Sequence, residues 1–332
     1  MRGDLKMKKL LSVVLALTLL LASLTGCSSK NETPNAAAPK DEKSYNASKI
    51  AVTYVKSPLN VPSIVEKNKG FFQKAFDEYK LPVEYSNLTT GPEQTQALAS
   101  GNLQFLNAVG ATSVLLTSSN GGDVKIISMY SRSPKAFMLF TNNSQIITAS
   151  DLKGKKVAGP KGTILHELLI AYLQTAGLTE NDIEFISLGI PDSQAALAAG
   201  EVDCALLAGP AAYNTKKSGK TVLTTGKGLV DATIVVATSQ KFYDENKVLV
   251  DIYLEAQKMT LDYMEKNYDE IIGIVAKETE LSVDAVKEMY PMYDFSMDIS
   301  DADIESMKKT EQFLFDNKMI DNHVNIEDLL IK

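Results

Sequence analysis

From residue 49 onward, short apolar runs alternate with longer stretches whose apolar positions recur every three or four residues. This is the pattern of strands alternating with helices. The runs at 49–55 (KIAVTYV), 82–85, 103–108, 124–130 and 136–140 read as strands. Helical stretches fall at 61–65, 70–79, 90–101 and from 112 onward. Asn60 stands where a cap would, with Pro62 near the helix start, where a missing N–H costs nothing. The helix opened at 90–93 ends at Gly101, as helices closed by glycine do. Further on come a strand at 157–158, a Gly-Pro turn, a helix from Thr163, a strand at 183–188, a helix at 191–200, an apolar run at 204–207 and a strand at 232–237. Such alternation predicts an α/β fold with largely parallel sheets. From 241 the pattern is helical, with apolar faces near 250–264, 271–276, 283–289 and 304–315, the last opened by Ser300-Asp301-Ala302-Asp303.

The pattern also repeats. Residues 97–103 (ALASGNL) return as 196–202 (ALAAGEV), and Gly110 and Gly209 follow at the same offset of 99 residues (209 − 110). Each copy is a helix, a terminating glycine, a strand, and a glycine at the strand's carboxyl end. Two similar α/β lobes follow from this, with ligand sites expected outside the strand ends and in the cleft between lobes. The expected boundaries are 49–141 plus 237–332 for lobe 1 and 142–236 for lobe 2. Crossings near Thr141 and Thr238 would then form a two-segment hinge.

Residues 152–173 (LKGKKVAGPKGTILHELLIAYL) give the sharpest functional signal: strand, glycine-rich turn, helix. The first N–H groups of a helix have no partner inside it, and the dipole adds positive potential there, so the turn suits a carboxylate, sulfonate or phosphate. Thr163 is also a plain N-cap residue, and a capped helix without ligand gives the same pattern. Strand-end loops supply the candidate contacts: Tyr54, Ser57, Gly110, Thr112, Lys161, Gly162, Thr163, His166, Gly209 and Tyr213. His166 is either a neutral donor to a ligand or a packing residue. Each tyrosine is either a contact for an organic tail or part of the core. Arg132, the single arginine beyond the N-terminus, either meets an anion or sits in an exposed turn.

The N-terminus reads as a processing signal. Met7-Lys8-Lys9 and the apolar run at 10–21 form a charged and then a hydrophobic segment, too short to span a bilayer. Met1 and Met7 both stand as candidate starts. Leu24-Thr25-Gly26-Cys27 resembles a bacterial lipobox, which makes Cys27 the lipidated first mature residue, 1–26 a signal peptide and 27–48 a polar tether. The full chain carries 34 basic and 41 acidic residues, net −7. Without residues 1–26 the balance is about −10 (30 − 40). That argues against nucleic acid, which requires a basic face, and leaves any anion site to local donors. With Cys27 lipidated, Cys204 stands alone in an apolar run and reads as a buried small hydrophobe. No nucleophile elbow, zinc-type His/Cys spacing or full phosphate-binding loop is present, so the reading is non-enzymatic, with no cofactor or metal.

Asn60-x-Pro62 with Gly70-Phe71-Phe72, the two Ala-Leu-x-x-Gly copies, Asp151-Leu152-x-Gly154-Lys155-Lys156-Val157, and Gly162-Thr163-x-x-His166 occur in an order that resembles the solute-binding proteins of ABC importers. The chain is most similar to the aliphatic sulfonate, taurine and nitrate group and the related thiamine-precursor group. The resemblance implies a two-lobed, type II periplasmic-binding-protein-like fold that closes on ligand. It also implies a lipid-anchored monomer on the extracytoplasmic face of a bacterial membrane, delivering to a permease driven by a cytoplasmic ATPase. Asn60 joins the expected site on this basis. Gln104 departs from the family's usual acidic residue, which the second copy keeps as Asp203. A small organic anion is the expected ligand. The alternatives are a neutral or cationic thiamine precursor, an enzyme on the same fold, and an adhesin using its outer surface.

Overall fold

The computed structural model describes residues 45–331; the expected signal peptide, Cys27 and most of the expected tether lie outside them. The body begins by Tyr45, short of the expected residue 49, because the Tyr45 hydroxyl donates to the Tyr79 carbonyl and the Asn46 N–H to Asn246.

The first half builds β1 (Ile50–Thr53), α1 (Val61–Lys69), α2 (Phe71–Asp77), β2 (Val83–Ser86), α3 (Gly91–Ala99), β3 (Leu106–Gly110), α4 (Ala111–Ser119) and β4 (Lys125–Arg132). Then come β5 (Phe137–Thr141), β6 (Lys156–Gly159), α5 (Ile164–Gln174), β7 (Glu184–Ser187), α6 (Ile190–Ala199), β8 (Cys204–Ala208), α7 (Gly209–Lys217), β9 (Thr221–Thr225) and β10 (Thr233–Thr238). The tail is helical: α8 (Gln240–Lys266), α9 (Tyr268–Thr279), α10 (Val283–Met289), α11 (Asp301–Asp316) and α12 (Ile326–Leu329). Among the described residues no helix is long and apolar enough to cross a membrane.

The strands form two sheets of like order. One runs β7-β6-β8-β5-β9. The other is the pair β1-β2 beside β3-β10-β4, joined by a parallel bridge from Val52 to Phe105. Across each sheet the first three strands in spatial order, β2-β1-β3 and β7-β6-β8, are parallel, and the fourth position is taken by an antiparallel strand, β10 or β5. The sheets are thus mixed rather than largely parallel.

These fourth strands move the expected crossings. The chain passes between sheets before Phe137 and before Thr233, several residues earlier than Thr141 and Thr238. Every residue of β5 and β10 is buried. Strands so apolar suit an interior position, and each is paired on both sides, β5 with β8 and β9 and β10 with β3 and β4. Helix α7 and edge strand β9 were not foreseen; β9 (TVLTT) is half-exposed and threonine-rich, with no apolar run to mark it.

Burial falls into clusters that follow the layers. Leu98, Leu106, Val114, Ile126, Val235, Met307 and Leu314 join α3, α4 and α11 to the first sheet. Phe140, Leu197, Ala205 and Leu207 join α6 to the second. A larger cluster, including Val157, Leu168, Val236 and Tyr253, runs through both.

Candidate ligand-binding cleft

The strand-end loops of both sheets face one cavity of about 390 Å³. Its walls come from the loop after β1 (Val55, Ser57, Pro58), from Thr90, Gly91 and Gln94 of α3, from Gly110 and Ser113, and across from these Thr163, Ile164, Ile190, Gln194, Pro210 and Asn214. Phe137 and Ile234, at the two crossings, close the back, and Glu278 to Glu280 at the end of α9 form part of the rim. The size is that of a small organic ligand, and the mixture of Ile, Val, Pro and Phe with a few hydroxyls and amides is that of a tail-and-head site.

Five helices begin at this cavity, but their first turns differ. Thr90 and Glu93 close α3 with a reciprocal capping box. Pro191 and Pro210 remove one N–H each from α6 and α7. Only α4, starting after Gly110, and α5, starting after Thr163, have neither a side-chain cap nor a proline. Their free amides come from opposite lobes. The Thr163 hydroxyl is turned back to the Pro160 carbonyl at 2.8 Å, so it does not cap its own helix.

The lobes touch around the cavity. Ser113 Oγ donates to the Gly162 carbonyl at 2.7 Å, and Thr112 Oγ1 to Glu167 Oε2 at 2.6 Å. Gly209 meets the Pro58 loop so closely that a Cβ there would lie 1.3 Å from the Pro58 carbonyl oxygen. Its φ of +56° also disfavours any other residue. A Cβ on Gly110 would press on Ile164 at 3.2 Å.

Of the expected contacts, Ser57, Gly110 and Thr163 line the cavity. The others do structural work nearby. Tyr54 is buried and donates to Glu278 Oε1 at 2.8 Å. Asn60 is buried and staples its own loop by donating to the Val55 and Ser57 carbonyls. Thr112 bonds Glu167, and Gly162 accepts from Ser113. Lys161 is exposed beside Glu180. His166 is 2% exposed, stacks on Phe185 and bonds Glu180 through Nε2 at 2.8 Å, while Nδ1 accepts from the Gly162 N–H. Burial holds this ring below the usual histidine range, against the pull of Glu180. Gly209 and Tyr213 border a separate, small cavity of about 20 Å³.

Gln94, Ser113, Gln194 and Asn214 escaped the sequence reading. Gln94, Ser113 and Gln194 lie in the first two turns of helices whose starts the pattern marks, so the helix-start positions are a usable signal for them, whereas Asn214 belongs to α7, which the pattern does not mark. Arg132 faces neither an anion site nor open solvent: it forks onto Asp303 at 2.5 and 2.6 Å and also donates to Ser296 and the Asp298 carbonyl. Cys204 is fully buried and its thiol is pushed up to about 12 by that burial. The lysine on the wall, Lys56, is engaged by Glu278. Apart from Lys56, the donors on the described cavity wall are backbone amides and neutral side chains.

Comparison with known proteins places this arrangement. A protein of Bacillus subtilis, provisionally named an aliphatic sulfonates-binding protein, is 28% identical across 98% of this chain and 95% of its own length. The alkanesulfonate-binding protein SsuA from Xanthomonas axonopodis pv. citri, solved bound to MOPS, superposes with a TM-score of 0.78 at 21% identity, over 86% of this chain and 98% of that one. The desulfurization enzyme DSZB has a similar fold at a TM-score of 0.64 and 14% identity, over 86% of this chain and 96% of its own. The NMT1/THI5-like family profile matches residues 58–271. With close to two thirds of its length matched, the chain belongs to the NMT1/THI5-like family.

Proposed function

We propose that this protein is the extracytoplasmic solute-binding component of an ABC importer, capturing an organosulfonate between its lobes and presenting it to a permease. The observation that carries the reading is the pairing of two uncapped helix starts, one from each lobe, on a cavity whose remaining wall is largely apolar. A sulfonate spreads one permanent charge over three oxygens. Several weak N–H donors suit it better than one strong cation, and helix dipoles add to their pull. The isoleucines, Phe137 and prolines take the carbon tail. The sulfonate-binding name of the Bacillus subtilis relative supports the same class. Neither histidine nor Cys204 lines the cavity, which supports binding rather than turnover.

A second reading rests on Phe137 at the back and Glu280 at the rim: an aromatic ring and a carboxylate on one cavity would suit a cationic heteroaromatic such as a thiamine precursor. Calorimetric titration with butanesulfonate, benzenesulfonate, taurine and an aminopyrimidine separates them. The expected outcome is micromolar or tighter binding of the alkyl or aryl sulfonates. Binding of the pyrimidine alone would replace the first reading with the second.

Cys27 is the proposed lipid anchor, with the body held outside the membrane as a monomer. Cys27→Ala is expected to release the protein from washed cells, and retention in the membrane fraction would count against the anchor.

A further inference from the structure

A carboxyl group joins the lobes at the edge of the cleft nearest the second crossing. Glu167 lies in the first turn of α5 and is 5% exposed. Both of its oxygens are bonded, and both partners come from the other lobe's layer. Thr112 Oγ1 of α4 is 2.6 Å from Oε2, and Thr310 Oγ1 of α11 is 3.1 Å from Oε1. α4 and α11 share one core with the first sheet, whereas α5 packs on β5 and β8 of the second. The Glu167 carboxyl is thus held by hydroxyls across the lobe junction and, among the described residues, meets no cation at hydrogen-bonding distance.

The charged surroundings are few. α4 (ATSVLLTSS) carries no ionisable residue. From the crossing segment Asp231 faces the group and disfavours its charge. Glu167 and Lys309 of α11 both border a surface depression of about 350 Å³, along with Leu229, Val230 and Phe313. On its own helix, His166 is turned to Glu180. Burial, against the two threonine bonds and with Asp231 adding to it, raises the Glu167 carboxyl to about 7.

We propose that Glu167 is a proton-responsive clasp: protonated, it holds the two lobes together through Thr112 and Thr310, and ionised, it releases them. A neutral carboxyl donates to one threonine and accepts from the other, so it is fully satisfied without water. A carboxylate in the same place must stay desolvated beside Asp231, a cost relieved when the junction parts and water enters. The sign follows from linkage. The closed form binds its proton more tightly than the open form, so closing takes up a proton and is favoured at low pH. The contribution is complete below the ordinary 4.5 and is lost as pH rises through about 7. Over that window the closing constant falls by at most about two orders of magnitude. Acidic surroundings would then favour retention of ligand and neutral ones its release.

This clasp rests on the reading of the cleft as a closing binding site, but its test needs no sulfonate. Small-angle scattering of the ligand-free protein between pH 5 and 8 should give a radius of gyration that rises with pH. Glu167→Gln, a neutral isostere, should stay compact throughout, and Thr112→Val with Thr310→Val should remove the compaction at low pH. In protein labelled with ¹³C at glutamate carboxyls, one resonance, absent from Glu167→Gln, should titrate near 7. A Glu167 resonance titrating near 4.5, or a wild-type radius independent of pH, overturns the clasp. Butanesulfonate titration at pH 5.5 and 8 separates the two ideas: no binding at either pH removes the sulfonate reading and leaves the scattering result standing. Binding that is equal at both pH values counts against the clasp.

Discussion

Arg132 and Gly209 illustrate how single residues settle what the site can do. Arg132 looked like a candidate for an anion, yet its fork is spent on Asp303, which is only 4% exposed. Burial alone would raise the Asp303 carboxyl, but the bonds from Arg132 and Ser300 draw it down to about 2. A depressed carboxyl contributes stability above its ordinary 3.8 and loses it as pH falls through about 2. Arg132→Ala strands a buried carboxylate, so it should cost about 3 kcal/mol at pH 7 and much less near pH 2. Denaturant melts at the two pH values check this, and butanesulfonate affinity of the folded variant should not change. Gly209 makes the opposite prediction. An added Cβ would lie 1.3 Å from the Pro58 carbonyl oxygen, so the opposing loop must retreat. Gly209→Ala should weaken butanesulfonate binding by at least about tenfold while leaving a folded, slightly less stable protein, since the strain of a non-glycine residue at positive φ is about 1–2 kcal/mol. Unchanged affinity by calorimetry would mean that the lobes need not approach at this point.

At the scale of elements, the internal repeat was the most informative part of the sequence, and the fold bears it out in detail. Shifted by 99 residues, the span of α3 falls on α6, that of β3 within a residue of β8, and that of α4 within a residue of α7. Even the departure at Gln104 is absorbed. Gln104 Oε1 accepts from the Ala51 N–H at 2.8 Å, as Asp203 Oδ2 accepts from Lys156 N–H at 2.9 Å, each steadying the equivalent strand of its sheet, β1 or β6. The carbonyls of the same two residues accept from Thr238 and Thr141, the last residues of β10 and β5. An amide oxygen meets this need as well as a carboxylate, because the requirement is an acceptor rather than a charge. What sequence periodicity could not reveal was which sheet β5 and β10 join. An all-apolar run announces a central strand but not its neighbours, which are decided by long-range pairing. The site was partly legible for a similar reason. Helix starts identified the turns at Gly110 and Thr163, but whether Tyr54, Asn60 or His166 faces ligand or protein depends on side-chain direction, which spacing alone leaves open.

For the whole molecule, the two equivalent sheets and the two connections between them set what ligand binding should do. The uncapped starts of α4 and α5 belong to opposite lobes, so neither lobe alone would complete the proposed anion seat. A ligand that engages both must favour the joined arrangement by its differential affinity for that arrangement over the parted one. The connections at 133–136 and 226–232 are short, which confines relative motion to rotation about the segments flanking Phe137 and Ile234 at the back of the cavity. Adding butanesulfonate at about one hundred times its dissociation constant should therefore reduce the radius of gyration. It should also raise stability by about 2.7 kcal/mol if the unfolded chain does not bind it. Gly209→Ala should blunt the compaction at the same ligand excess, because its obstacle lies at the lobe contact rather than in the seat. Stabilisation without compaction, measured by scattering and thermal melts on the same samples, would mean that the anion is held by one lobe. The convergence of two helix starts would then have to be abandoned as the basis of binding.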